Sequence, residues 1–290
     1  FADDTNLLLS NKSLKKLTLN MNHDLTCLCE WLRSNKVALN VDKTEVIIFK
    51  KPYTKLNFKY KFKIDGHKVL PKSTIKYLGL EVDDHITWKP FINSLKNKLT
   101  RAVGVLSKLR HNVPLSFLKT VYHALFGSHI NYGCQVWGLN SESHIQAIQK
   151  LQNRAIRNIT FSDIRANASP IFKELNILKF EDLIHLYNCT FMYQMENFQL
   201  PKTFNTFSSL VRNEHNYNTR ASSAGLHVVP TVNTRLYGTL SIKNQCVKDW
   251  NNFKRLFSAH INNELSLNKV KSLFKNKIFT YYYFFFYKLS

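Results

Sequence analysis

The chain has 290 residues, of which 44% are hydrophobic and 21% charged, and this composition is that of a folded protein and excludes a disordered tail. Its length allows one large domain or two ordinary ones. The 41 Lys and Arg residues outnumber the 19 Asp and Glu residues, giving a formal net charge of +22. Such a charge attracts polyanions, which favours nucleic acid as a partner. A lysine-rich composition that only maintains solubility is the alternative.

The cysteines argue against a secreted protein and against a zinc site. Five of them are scattered along the chain, which does not resemble a disulfide framework, so we predict an intracellular protein. Cys27 and Cys29 point in different directions if their segment is helical, and no second Cys or His pair follows at zinc-ligand spacing. No secretory signal opens the chain, and no apolar run reaches the ~20 residues that span a bilayer.

The first part of the chain mixes strands with one helix, which predicts an α+β fold with a mostly antiparallel sheet. Apolar residues at three- and four-residue steps predict the helix, and alternation predicts the strands. In chain order the predicted elements are a hairpin with Asp3 and Asp4 at its tip, a helix from Leu14 to about Ser34, a strand from Val46 to Phe49, a strand ending at Ile64 with a turn at Asp65-Gly66, a short return strand from Lys68 to Leu70, and a strand over residues 75–82.

From Lys89 onwards the apolar spacing becomes helical throughout, which predicts a bundle with basic outer faces. The first helix runs to about Leu109, and its other faces carry Lys96, Lys98, Arg101, Lys108 and Arg110. A second helix follows Pro114, and a third is expected over residues 145–159 with Lys150, Arg154 and Arg157 exposed. Residues 172–199 are predicted to be helical again.

The last ninety residues are predicted to be rich in loops, with one or two closing helices around residues 250–257 and 270–274. Seven consecutive aromatic residues then run from Tyr281 to Tyr287. We interpret this tail as translated sequence beyond a natural end or as an aggregation-prone strand. On either interpretation residues 279–290 are dispensable for folding.

Adjacent aspartates on a tight hairpin are well suited to hold divalent metal ions, because Mg²⁺ prefers carboxylate oxygens. In two-metal phosphoryl transfer such ions stabilise both the attacking and the leaving oxygens. Asp3 and Asp4 are one such pair. A solvated β-turn is the alternative, since Asp is common in turns.

The order of motifs favours the catalytic interpretation of this pair. Along the chain, "FADD" is followed by a predicted helix, by "LNVDKTE", by a predicted hairpin and by "KYLGLEVDD". A basic helical bundle that contains "YGCQVWG" and "LQNRAIRNI" comes after these motifs. This arrangement resembles the reverse transcriptase of non-LTR (LINE-type) retrotransposons over nearly the whole chain. The resemblance implies a partial polymerase palm at residues 1–88, a helical thumb-like domain at residues 89–200 and a C-terminal extension at residues 201–290.

The resemblance also implies a role for individual residues. Asp3 and Asp4 would bind the catalytic Mg²⁺ ions, and Lys43 would lie near the phosphates of the incoming deoxynucleotide. The turn residues that would hold the primer end are Tyr77, Leu78 and Gly79. From the residues alone, Lys43 is equally well explained as an ordinary surface lysine, and Leu78 as a core residue.

The basic helix after Lys89 would grip the RNA template and the DNA primer through their phosphates. Asp83 and Asp84 form a second acidic pair, which we interpret as a helix cap or turn and not as a metal site. The first catalytic carboxylate and the nucleotide-binding fingers of the family lie upstream of "FADD". We therefore expect this chain to be a C-terminal fragment without polymerase activity alone; a non-catalytic nucleic-acid-binding remnant and a decayed gene product that does not fold are the alternatives.

Overall fold

The computed structural model describes residues 5–54, 61–139, 141–214, 217–258 and 266–284, and at positions 283 and 284 the backbone only. The chain divides into two compact units, residues 1–93 (unit 1) and residues 94–290 (unit 2). The predicted hairpin with Asp3 and Asp4 lies outside the described residues.

Unit 1 is built from one long helix and short strands, which agrees with the predicted α+β class. The helix is α1 (Leu14–Ser34), close to its predicted bounds. Its inner face buries Leu25 and Cys29 against Ile64, whereas Cys27 is exposed. The described strands are β1 (Val46–Ile47), β2 (Phe62–Ile64), β3 (His67–Val69), β4 (Pro71–Lys72), β5 (Thr74–Tyr77) and β6 (Leu80–Asp83).

The strands pair two by two and do not form one sheet. The hairpin of β2 and β3 turns at Asp65-Gly66, as predicted, with both turn residues at positive φ. The predicted single strand over residues 75–82 is wrong: β5 and β6 form an antiparallel hairpin that reverses after Tyr77. β1 ends at Ile47, short of the predicted Phe49. Pro71 begins a further strand, β4, which pairs in parallel with β1.

Asp83 holds the turn that leads into the next helix, which agrees with the predicted cap or turn. Its Oδ1 accepts a hydrogen bond from the backbone N–H of Trp88 at 2.7 Å. Its Oδ2 accepts from the backbone N–H and the hydroxyl of Thr87 at 3.0 and 2.9 Å. Asp84 forms an ion pair with Lys50 at 3.2 Å between Nζ and Oδ2. The second acidic pair is therefore structural.

The described part of unit 2 is mainly helical, and residues 197–241 consist mostly of loops and short helical turns. The first helix, α2, begins in unit 1 and continues into unit 2. The helices are α2 (Lys89–Leu109), α3 (Leu115–Tyr122), α4 (Ser128–Asn131), α5 (Cys134–Trp137), α6 (Glu142–Thr160), α7 (Ala168–Glu174), α8 (Phe180–Glu196), α9 (Arg220–Ser223), α10 (Ile242–Leu256) and α11 (Leu267–Phe284). No described helix is both long and apolar enough to cross a membrane.

The core of unit 2 combines stacked aromatic rings with one buried amide. Trp137 stacks on Phe180 with ring centroids 5.3 Å apart, and both side chains are fully buried. Gln152 is also fully buried, and its Oε1 accepts from the backbone N–H of Phe180 at 2.9 Å. Its Nε2 donates to the Tyr122 hydroxyl and to the Leu178 carbonyl, both at 3.0 Å. One side chain thus ties α3, α6 and the start of α8 together.

The aromatic tail is helical up to Phe284, so the expectation of a strand is wrong for residues 279–284. Whether the chain folds without this tail is a separate question, which a deletion tests. Phe279 and Tyr282 are buried on the inner face of α11. The hydroxyl of Tyr282 donates to the carboxylate of Asp182 and accepts from the backbone N–H of Lys179 at 3.0 Å. The helical period places these aromatic side chains in the core, which the run of aromatic letters conceals.

Candidate nucleic-acid interface

The predicted metal ligands Asp3 and Asp4 lie outside the described residues. Within the described ranges, no group of three His, Cys, Asp or Glu side chains is placed to hold a metal ion. The metal site therefore stays a prediction that concerns this aspartate pair.

Lys43 lies where the sequence predicts it, in the segment before β1. It ends a short 3₁₀ turn, Val41–Lys43, and its backbone N–H donates to Oδ1 of Asn40 at 3.1 Å. Its side chain is exposed. Within the described residues, its ammonium group has no carboxylate partner. An exposed ammonium group without a carboxylate partner can bind a phosphate without first breaking an ion pair.

The segment Tyr77–Gly79 forms an exposed turn between β5 and β6. Leu78 has φ 46° and Gly79 has φ 81°, so both turn residues adopt the left-handed conformation. Glycine tolerates this conformation, but leucine has no side-chain polar group to stabilise it and adopts it at a cost of about 1–2 kcal/mol. Leu78 is 39% exposed, so it is not a core residue. A strained, exposed apolar residue at a turn is a reason to look for a binding role.

One stripe of α2 is exposed in unit 2. The buried face carries Leu95, Leu99 and Leu106. On the opposite face four exposed residues recur at steps of four, three and four: Asn97, Arg101, Gly104 and Lys108. A methyl group added at Gly104 would meet no atom within 4 Å, so this part of the helix surface is open to close approach. Of the other predicted residues, Lys98 is exposed and Lys96 is half-buried.

Arg110 lies just beyond α2, and its guanidinium stacks on an aromatic ring. The centre of the guanidinium is 4.4 Å from the ring centroid of Phe161, which is a cation–π distance. The other neighbour of that ring is His111, edge-on at 5.5 Å. Phe161 is 52% exposed, and it places at the basic end of α2 an aromatic ring that the sequence does not predict. Its only sequence signal is an apolar residue that follows the last turn of α6.

The basic residues of α6 differ in their availability. Lys150 and Arg154 are exposed, as predicted. Arg157 is half-buried, and its Nε donates to the carbonyl oxygen of Ala166 at 2.8 Å. The expectation that Arg157 is exposed is therefore wrong, because its guanidinium is hydrogen-bonded to the loop that follows α6.

Comparison with curated proteins finds similarity to polymerases of mobile elements. The probable RNA-directed DNA polymerase from transposon X-element of Drosophila melanogaster is 26% identical over 170 residues, 58% of this chain and 18% of the relative. The RNA-directed DNA polymerase from mobile element jockey of the same organism is 25% identical over 190 residues, 63% of this chain and 20% of the relative. The probable RNA-directed DNA polymerase from transposon BS, also from that organism, is 26% identical over 191 residues, with 63% and 20% covered.

The chain thus spans about a fifth of the length of the curated relatives it matches. No protein-family model and no solved structure matches it. These relatives are named as RNA-directed DNA polymerases of transposons or mobile elements, and their similarity supports a relationship of this chain to reverse transcriptases. The similarity does not test the "FADD" motif or the start of the chain within such a polymerase.

Proposed function

We propose that this chain is part of an RNA-directed DNA polymerase of a non-LTR retrotransposon and that its helical region acts as a thumb on the template–primer duplex. The observation that carries the proposal is the exposed stripe of α2 with Arg101 and Lys108, in a chain similar to such polymerases. In this proposal residues 1–88 are the end of a palm, residues 89–200 are the thumb and residues 201–290 are an extension.

The stripe suits a phosphate backbone for two reasons. Arg101 and Lys108 are seven residues apart on one helix, so they lie roughly 10 Å apart along its axis and can reach different phosphates. Gly104 lies between them and adds no side chain that would hold a strand away from the helix. Lys98 on the same helix and Arg110 just beyond its end, together with the ring of Phe161, would add further positive charge near this surface.

The paired substitution Arg101→Ala/Lys108→Ala should weaken binding of an RNA–DNA duplex roughly tenfold or more at low salt. Each lost phosphate contact removes about one unit from the slope of log K against log salt, so the slope should fall by about two. Fluorescence anisotropy over a salt series measures both quantities.

The matched control removes one lysine and one arginine elsewhere in unit 2, Lys202→Ala/Arg212→Ala. Both residues are exposed and lie outside α2. The control should keep the slope of the unchanged chain within about half a unit. Equal losses in the two variants would mean that only net charge matters, and the thumb assignment of α2 would be abandoned.

For unit 1 the proposal assigns the contacts at the reacting end of the primer. Asp3 and Asp4 would hold Mg²⁺, which when bound supplies positive charge for phosphoryl transfer. Lys43 would lie against the phosphates of the deoxynucleotide, where its ammonium can stabilise or protonate the leaving pyrophosphate. The turn Tyr77–Gly79 would hold the primer end, with Leu78 against its sugar or base.

The substitution Leu78→Asn separates stability from binding at this turn. Asn adopts the left-handed conformation more readily than leucine, so unit 1 should gain about 1 kcal/mol in free energy of unfolding. Binding of a primer–template with a recessed 3′ end should fall several-fold, because the apolar contact is lost. Urea unfolding and anisotropy measure the two effects.

Leu70→Asn is the control for removing an exposed leucine, because Leu70 is 63% exposed and lies outside the turn. It should change neither the stability of unit 1 nor primer binding appreciably. Should Leu78→Asn bind the primer–template as well as Leu70→Asn does, the primer-holding role of the turn is refuted.

A further inference from the structure

Unit 2 contains a cavity of about 580 Å³ between the end of α3, α8 and α11. This volume lies within the range of small-molecule sites. Its upper wall is the wide π-helical turn His123–Gly127, a type of turn that is rare and often marks functional sites. The thumb surface on α2 does not include any residue that lines this cavity.

The rim of the cavity is positively charged. Lys271 and Lys275 line it from adjacent turns of α11, and no Asp or Glu is among the lining residues. Neither lysine has a carboxylate partner within the described residues. His123 lines the cavity too, and burial lowers its pKa first, with the charges of Lys119 and Lys275 lowering it further. The rim is therefore a cationic surface without a compensating anion in the described residues.

The lining of the cavity combines apolar side chains with a buried phenol, Tyr122, whose hydroxyl can still donate a hydrogen bond. Leu183, Leu186 and Phe279 supply apolar surface. Tyr122 is 1% exposed, and its hydroxyl accepts a hydrogen bond from Nε2 of Gln152. No acceptor for the proton of that hydroxyl is found among the described residues. Burial raises the pKa of the Tyr122 phenol, so the group stays protonated and can donate to a ligand.

Gln152 cannot take over this role, because its amide is already saturated by protein partners. It donates to Tyr122 and to the Leu178 carbonyl and accepts from the Phe180 N–H. The bond from Gln152 fixes the position of the Tyr122 side chain, which is among the residues that line the cavity. A suitable ligand would have a flat apolar body with a hydrogen-bond acceptor, which could accept from the Tyr122 hydroxyl. An anionic group on the same ligand could pair with Lys271 and Lys275.

We propose that this cavity binds a nucleoside phosphate unit, with the phosphate at Lys271 and Lys275 and the base inside, where Tyr122 donates to an acceptor on its edge. A nucleobase is planar and carries ring and carbonyl acceptors, and Tyr187 at the cavity wall offers an aromatic face for it. The unit is an unpaired nucleotide of the bound nucleic acid strand, and for this source the inference rests on the proposed function. A free nucleotide has the same chemistry and is separated from it by experiment.

The test uses the full chain and two paired variants of α11 that each remove two lysines. Lys271→Ala/Lys275→Ala removes the rim charges, and Lys269→Ala/Lys277→Ala removes two lysines of the same helix that do not line the cavity. The probes are adenosine monophosphate, inorganic phosphate, a duplex with one unpaired 2-aminopurine at its end and the same duplex with blunt ends.

The rim variant should bind adenosine monophosphate and the unpaired duplex roughly tenfold more weakly, and the control pair should stay within about twofold, because charge-assisted hydrogen bonds to phosphate are lost only at the rim. Inorganic phosphate should compete more weakly than the nucleotide. A preference for the duplex with the unpaired 2-aminopurine over the blunt duplex would show that the bound nucleotide comes from the nucleic acid strand. Tight binding of adenosine monophosphate without that preference would show that the cavity binds a free nucleotide. Either result supports the proposal that the cavity is a nucleotide site. Equal binding by the two variants overturns it.

Ser272→Trp provides a second variant, because Ser272 is an exposed residue of α11 that also lines the cavity. An indole there should block the cavity and abolish the 2-aminopurine response without changing charge. If it leaves the response intact, the cavity is not the site. Blunt-duplex binding that still depends on Arg101 and Lys108 would show that the thumb proposal stands while the cavity proposal fails. If no probe binds the unchanged chain, both are refuted.

Discussion

Replacement of Glu196 by alanine is expected to lower the free energy of unfolding of unit 2 by about 3–5 kcal/mol, since it removes one partner of a buried ion cluster. Oε1 of Glu196 lies 2.5 Å from Nε2 of His227 and 2.5 Å from Nζ of Lys254. The indole N–H of Trp250 donates to the same oxygen at 2.9 Å. The side chains of His227 and Lys254 are 3% and 10% exposed, so alanine would leave a buried cation without its carboxylate.

The same cluster predicts how stability changes with pH. Burial acts to raise the pKa of Glu196, but the hydrogen bond from His227 and the charge of Lys254 outweigh it and lower the pKa below its ordinary value. A carboxyl group with a lowered folded pKa contributes stability above its unfolded pKa of about 4.3 and loses this contribution as pH falls through the folded value. Unit 2 should therefore lose stability as pH falls below about 4.3, and Glu196→Ala should flatten that part of the profile.

Glu181→Ala is the matched control, because Glu181 lies on the same helix, α8, and is exposed. It should cost less than about 1 kcal/mol and leave the acid profile unchanged. Urea unfolding at several pH values gives both quantities. If the two variants unfolded at the same urea concentration, the cluster around Glu196 would not stabilise unit 2.

The long helices and one hairpin could be predicted because their signals are local. The apolar period of α1 and α2 indicates both their existence and their buried faces. Asp65-Gly66 fits the two-residue turn that joins β2 and β3. The turn at Leu78-Gly79 is implied by the family resemblance but not by the local pattern, because leucine at its first position is not a turn signal and apolar residues continue on both sides of it.

The candidate site residues could be placed from the sequence where one local segment holds them. The basic stripe of α2 follows from the helical period, and Arg101 and Lys108 are exposed as that period requires. Arg157 is engaged by Ala166, and the ring of Phe161 lies under Arg110. These contacts depend on how segments that are distant in the sequence pack together, so a local sequence pattern does not predict them. The same is true of the cavity lined by Tyr122 and Lys271.

Deletion of residues 279–290 is expected to prevent unit 2 from folding. The segment includes Phe279 and Tyr282, which are 9% and 5% exposed on the inner face of α11. Loss of one buried aromatic side chain typically costs about 3–5 kcal/mol, and total stabilities are about 5–15 kcal/mol, so loss of both approaches the whole. Circular dichroism and size-exclusion chromatography of the truncated chain would show lost helix and aggregation.

Alanine substitutions of two adjacent tyrosines distinguish a loss of α11 packing from a general effect of removing an aromatic residue. Tyr281 is 49% exposed, whereas Tyr282 is buried against Phe172 and bonded to Asp182 and Lys179. Tyr282→Ala should cost about 3–5 kcal/mol, and Tyr281→Ala less than about 1 kcal/mol. Two results would refute the assignment of this tail to the core: a truncated chain that keeps its helical signal and cooperative unfolding, or equal effects of the two alanine substitutions. Only inward packing of Tyr282 predicts a difference between two neighbouring tyrosines.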